Sequence, residues 1–204
     1  MEEGEPQNYM FAEMRAALNI PKSIDILDHI YALPTSEQGA AMESIRAIER
    51  RAMIVQAPQP GLLQLMDYLD SRGIPKGICT RNFDTPVTHL LETFLPNHTF
   101  LPIITRDFRP PKPDPAGILH IASSWGLAPS PQEAAASETL ELPIIMVGDS
   151  IDDMTAGRRA GAATVLLVNP ANEHLADHEH TDLCISRLDK LIQIVEDGFV
   201  GEQT

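Results

Sequence analysis

The stretch Val147-Gly148-Asp149-Ser150-Ile151-Asp152-Asp153-Met154 decides how the rest of the chain is read. Ile144, Ile145 and Met146 lead into it as an apolar strand over 144–147. Gly148 ends the strand, and three carboxylates follow within five positions. A helix is expected next, over 152–160, running into Gly161-Ala162. Carboxylates crowded at a strand end repel one another unless a hard cation neutralises them, and oxygen donors suit Mg²⁺. Turn and cap chemistry alone would have Asp149 form an Asx turn and Asp152 cap the helix. That role does not require three acids.

Outward from this segment the pattern repeats. Helices are expected over 62–71, 84–94, 115–125 and 188–196, and strands over 77–80, 101–105, 164–168 and 183–185. Residues 128–141, rich in Pro, Ala and Ser, read as a surface loop. Short all-apolar strands alternating with amphipathic helices give an α/β fold, a Rossmann-like parallel sheet with helices on both faces. Such sheets bind ligands outside the carboxyl ends of their strands. Before Ala57-Pro58-Gln59-Pro60-Gly61, a break that separates units, the chain looks wholly helical. Phe11, Met14 and Leu18 recur at helical spacing up to Pro21, and Ser23 is placed to cap a second helix bearing Ile24, Leu27 and Ile30. Thr35 or Ser36 is placed to cap a third, with the stripe Ala41, Met42, Ile45, Ile48 and Ala52, and with Arg46, Glu49, Arg50 and Arg51 mostly off it. The expected organisation is a helical unit over 1–56 and an α/β unit over 57–204.

The 204 residues carry 15 Lys plus Arg against 29 Asp plus Glu, a net charge of −14. Such a polyanion is repelled by phosphate backbones and anionic lipid, which argues against nucleic-acid and membrane-surface partners. No apolar run approaches the ~20 residues that span a bilayer. The acidic opening Met1-Glu2-Glu3-Gly4-Glu5 is unlike a secretory signal, and Cys79 and Cys184 lie in apolar runs as reduced core residues would. A cytoplasmic protein is the expectation. His174, His178 and His180 lack fixed spacing and read as solvated surface. No phosphate-loop, dinucleotide or Cys-x-x-Cys motif is present.

Two further segments end near strands. In Cys79-Thr80-Arg81-Asn82 a hydroxyl and backbone N–H groups precede a helix, an arrangement that binds anions but also occurs in ordinary caps. In Pro110-Pro111-Lys112-Pro113-Asp114-Pro115 prolines stiffen the backbone around one lysine. In this order the three segments resemble motifs two, three and four of the haloacid dehalogenase-like hydrolases, mostly Mg²⁺-dependent phosphatases with a Rossmann-like core. The match runs from about Pro60 to Val195, and residues 1–56 resemble the helical cap of many members. The resemblance implies that Thr80 hydrogen-bonds phosphoryl oxygens, with Arg81 or Asn82 lending a backbone N–H. It implies that Lys112 neutralises charge, that Asp149 binds Mg²⁺, and that Asp153 supports the metal or Lys112, with Asp152 the lesser candidate. The implied substrate is a small phosphorylated metabolite.

The family's first motif, Asp-x-Asp-x-Thr at the end of a central strand, supplies the nucleophile that becomes an aspartyl-phosphate. These residues contain no such motif; Asp25-Ile26-Leu27-Asp28 falls in an expected helix. The first central strand is therefore expected to be absent, which leaves either a gap between the strands ending at Thr80 and Gly148 or a closed-up sheet. The expectation is a phosphatase-type chain that starts late. The alternative is a catalytically inactive relative that binds phosphate or a partner.

Overall fold

A computed structural model describes residues 9–54, 56–127 and 142–199. Three helices come first: α1 (Tyr9–Leu18), α2 (Ile26–Ala32) and α3 (Thr35–Met53). The remainder alternates α4 (Leu62–Ser71), β1 (Ile78–Cys79), α5 (Asp84–Phe94), β2 (Ile103–Ile104), α6 (Ala116–Ser124), β3 (Ile145–Gly148), α7 (Ile151–Ala160), β4 (Ala163–Leu167), β5 (Leu183–Ile185) and α8 (Lys190–Asp197). All pairings are parallel, as the apolar strands implied.

Among the described residues the strands form two sheets, β1-β2 and β3-β4-β5, with no ladder between β1 and β3. The break falls where the first central strand is expected to be absent, and the two halves have not closed onto each other. Hydrogen-bond parity shows which edges are left over. Ile78 and Thr80 donate their N–H groups to Pro102 and Ile104, so the backbone groups of Cys79 face away from β2. Ala163 N–H donates to Ile144 C=O, so Ile145 and Val147 face away from β4.

Helices cover both faces of the larger sheet. Leu65, Met66, Leu95, Val165, Ile185 and Leu191 pack on one side; Met154, Leu166 and Leu175 pack on the other. Val165 and Leu166 fall on opposite sides because successive strand residues alternate. Gly157 lets α7 lie on the sheet: a Cβ there would stand 2.8 Å from both Met146 Cβ and Thr164 Cγ2. The three leading helices have their own core of Met14, Ile26, Leu27, Ile30, Ile45 and Ile48, and this core also takes in Phe83 from the α/β part.

Several local expectations are corrected. The α2 cap is Asp25, whose carboxylate accepts from Leu27 N–H at 2.8 Å and from Asp28 N–H, not Ser23. Helix α3 starts after Pro34 without a side-chain cap. Phe11 is 47% exposed, while Met14 is buried in the helical core and Leu18 packs against it, and Cys184 is exposed rather than core. Glu49 is buried, not on the polar face of α3. The 128–141 loop lies outside the described residues. None of the described helices is long and apolar enough to cross a membrane.

Candidate functional site

Three segments far apart in sequence meet at the carboxyl ends of β1 and β3. Lys112 is the meeting point: its ammonium donates to Cys79 C=O at 2.6 Å and pairs with the Asp153 carboxylate. Asp153 is 6% exposed, in the first turn of α7. Its other oxygen accepts from Ser150 Oγ at 2.8 Å and from the Ser150 and Asp149 N–H groups, both at 3.2 Å. Ser150 in turn caps the helix by accepting from Asp153 N–H, closing a capping box. The helix is therefore started by Ser150 and Asp153 rather than by Asp152. Gly148 makes this possible, because a Cβ there would lie 2.4 Å from Asp153 Cβ.

Asp149 stands just before the capping box and keeps exposed surface. Burial of its carboxyl and the Asp153 charge push its pKa up, against a smaller downward pull from Lys112. Since the residue retains open surface, the Asp153 charge is the firmer of the two causes. Two like charges held together in this way are what a divalent cation relieves. Asn172, buried beneath, donates to both Asp149 C=O at 2.8 Å and Leu167 C=O at 3.0 Å, tying the loop to the end of β4. Among the described residues no group of three His, Cys, Asp or Glu is placed to hold a metal. The carboxylates here are a pair. They fit Mg²⁺ in donor type, and the rest of an octahedral shell would come from other oxygens.

On the β1 side, Thr80 N–H donates to Ile104 C=O at 2.8 Å, and Asn82 N–H donates back to Thr80 Oγ1 at 3.1 Å. Of the two backbone donors proposed for phosphate, that of Asn82 is thus engaged within the turn. Burial pushes the Cys79 thiol up, away from the reactive thiolate.

The side chain of Arg81 has a role its sequence position did not suggest. It pairs with Asp152 at 2.6 Å and also with Asp25 of the leading helices. Asp152 is accounted for as an ion-pair partner. Asp25, set aside as a helix residue, reaches the site because it is the cap of α2 and so lies at that helix's end. Two more residues escaped the sequence reading. Arg106 donates from Nε to Arg81 C=O at 2.7 Å and from Nη2 to Glu49 Oε1 at 2.8 Å. The available signal was Glu49 standing one helical turn after Ile45, on the edge of the apolar stripe.

The Asp25 bridge gives a pH prediction. Burial pushes the Asp25 carboxyl up, but the Arg81 hydrogen bond and charge, with the Asp28 and Leu27 N–H groups, hold it below the usual range. A group with a depressed folded pKa stabilises above its unfolded value, and the contribution is lost as pH falls through the folded value. Asp25→Asn keeps the cap oxygen and removes the charge. Its melting temperature is expected below the parent's at neutral pH, with the difference closing below about pH 4. A difference unchanged down to pH 2 contradicts the bridge.

The haloacid dehalogenase-like hydrolase family model matches residues 7–161. An uncharacterized hydrolase of Saccharomyces cerevisiae is 44% identical over 197 residues, covering 94% of this chain and 85% of that protein. A phosphoglycolate phosphatase of Rhodospirillum rubrum is 31% identical over 109 residues, covering 53% of this chain and 40% of its own. The crystal structure of a hydrolase from Pseudomonas syringae superposes with a TM-score of 0.64 at 23% identity, covering 93% of this chain and 89% of the other.

Proposed function

The chain belongs to the haloacid dehalogenase-like hydrolases, and on that footing we propose that it forms the phosphoryl-binding half of a Mg²⁺-dependent phosphatase site for a small phosphorylated metabolite. The observation that carries this reading is Lys112, held between Cys79 C=O and Asp153. An ammonium fixed at the carboxyl ends of β1 and β3 by two acceptors keeps its remaining donor for a phosphoryl oxygen. Thr80 Oγ and the Arg81 N–H would face the same anion from the β1 side. Asp149 would be the direct metal ligand, while Asp153, already hydrogen-bonded at both oxygens, would orient Lys112 and add its charge. Bound Mg²⁺ would supply charge neutralisation of the transferring phosphoryl group. Residues 1–56 would act as a cap over this site.

Covalent turnover of the family type needs a carboxylate nucleophile, and none of the motif that carries it lies in these 204 residues. Among the described residues no strand pairs with the edges of β1 and β3 that face away from β2 and β4, and a strand bearing such a nucleophile would be received there. Calorimetry is expected to show Mg²⁺-dependent binding of inorganic phosphate to the 204-residue chain, and its loss in Asp149→Ala. Equal responses from both proteins refute the metal assignment. On an aryl phosphate the chain alone is expected to show no turnover above background. A fused strand ending in Asp-x-Asp-x-Thr should restore turnover, and Lys112→Ala should then remove it. Robust turnover from the chain alone overturns the mechanism.

A further inference from the structure

We propose that Arg106, seated by Glu49 of α3, is a positioning residue that fixes the backbone of the Thr80–Phe83 turn and couples that turn to the leading helices. Arg106 and Glu49 are 5% and 4% exposed, and they pair across the boundary between the helical part and the α/β part. Burial raises the Glu49 pKa and lowers that of Arg106, each against the pull of its partner. A pair this dehydrated is weak evidence for stability, since apolar residues of similar volume would often do as well. Its geometry points to another role.

Arg106 grips three consecutive residues of the turn. Its own N–H donates to Asn82 C=O at 3.0 Å, its Nε donates to Arg81 C=O at 2.7 Å, and its guanidinium lies 3.7 Å over the Phe83 ring. Glu49 takes the Nη2 donor and so orients the planar fork from the other side. Arg46, also on α3, stacks on the same Phe83 ring at 4.5 Å. Among the described residues Arg106 Nη1 and Glu49 Oε2 have no hydrogen-bond partner, so the pair itself is joined through a single Nη2–Oε1 contact. A lysine could not replace this fork, being a single point donor on a flexible stem. The turn held in this way carries Thr80 Oγ and the Arg81 N–H, so a displacement of α3 would be felt where the anion binds.

The part of this inference that concerns anion affinity rests on the phosphatase reading; the part that concerns turn geometry does not. The test uses the 204-residue chain, Arg106→Lys and Glu49→Gln, held well below their melting temperatures. Amide spectra are expected to show Arg81, Asn82 and Phe83 displaced in Arg106→Lys. In Glu49→Gln the amides of α3 and of the turn should both exchange faster. With Mg²⁺ present, affinity for inorganic phosphate should fall at least ~10-fold in Arg106→Lys, because a displaced turn no longer aims the Thr80 hydroxyl and the Arg81 N–H at the anion, and hydrogen bonds to charged groups are the strong ones. A merely structural role would lower the melting temperature and leave the turn amides and the phosphate affinity of the folded protein unchanged. That outcome overturns the proposal. Failure of the parent to bind phosphate counts against the phosphatase reading alone, and the turn amides then decide. Should neither variant fold, native-state hydrogen exchange of the parent decides. The Arg106 amide and the α3 amides are expected to open together, and separate opening overturns the coupling.

Discussion

Asp153→Ala is expected to lower the melting temperature by about 10 °C and to leave Lys112 without its buried counter-charge. The Lys112 and Asp153 side chains are about nine-tenths buried, so the cost is that of an unpaired buried charge, about 3–5 kcal/mol. In a domain of this size each kcal/mol moves the melting temperature by roughly 2–4 °C. Asp153 also accepts three hydrogen bonds from Asp149 and Ser150, and losing them removes its half of the capping box while the Ser150 cap itself remains. The converse change should be milder. Lys112→Met leaves Asp153 with those three donors, so its charge remains partly compensated. Differential scanning calorimetry on both variants checks the asymmetry; equal shifts would mean that the ammonium, not the capping network, dominates.

Gly148→Ala should disturb the same network from the strand side. The added methyl would lie 2.4 Å from Asp153 Cβ and 2.5 Å from its Cγ and Oδ2, all closer than atoms can pack. These are the near end of the side chain, not a flexible tip, so either β3 or the start of α7 has to move. Forced overpacking costs about 1–3 kcal/mol, or several degrees in melting temperature. The displaced Asp153 would release Lys112 and separate the carboxylate pair. Mg²⁺ binding should therefore weaken in Gly148→Ala even at temperatures where it is folded. By contrast Gly39→Ala, on the open side of α3 with no atom within 4 Å of the new Cβ, should be neutral or slightly stabilising. If the two substitutions behave alike, the close approach of Asp153 to β3 is wrong.

Helices α4 and α5 and strand β5 were placed to the residue, and the other elements of the α/β part differ from their expected bounds by one or two residues. Apolar runs and helical spacing are properties of neighbouring residues, and they survive into the fold because the sheet buries whole strands. Thr80, Asp149 and Asp153 stood out because each follows an apolar strand, where a parallel sheet leaves room for ligands, and Lys112 because prolines stiffen its loop; the structure brings these segments together at the same ends of β1 and β3. The three helices between Tyr9 and Met53 were recognised from their spacing, although the caps of α2 and α3 were misassigned. Asp25 outcompeted Ser23 because its carboxylate reaches two N–H groups at once.

Only the tertiary structure decided which of these side chains meet. Sequence placed Lys112 in a stiff loop, but its two acceptors come from Cys79 and Asp153, 33 and 41 residues away. Periodicity along α3 marked Glu49 as polar and therefore outward. Burial followed instead from Arg106, a charge contributed by a different part of the chain, without which Glu49 could not leave water. The side chain of Arg81 was invisible as a bridge for the same reason, since its partners Asp25 and Asp152 are remote from it and from each other. Local pattern determines which residues are apolar and where elements begin. Which charges are compensated depends on distances that exist only once the helices have packed onto the sheet.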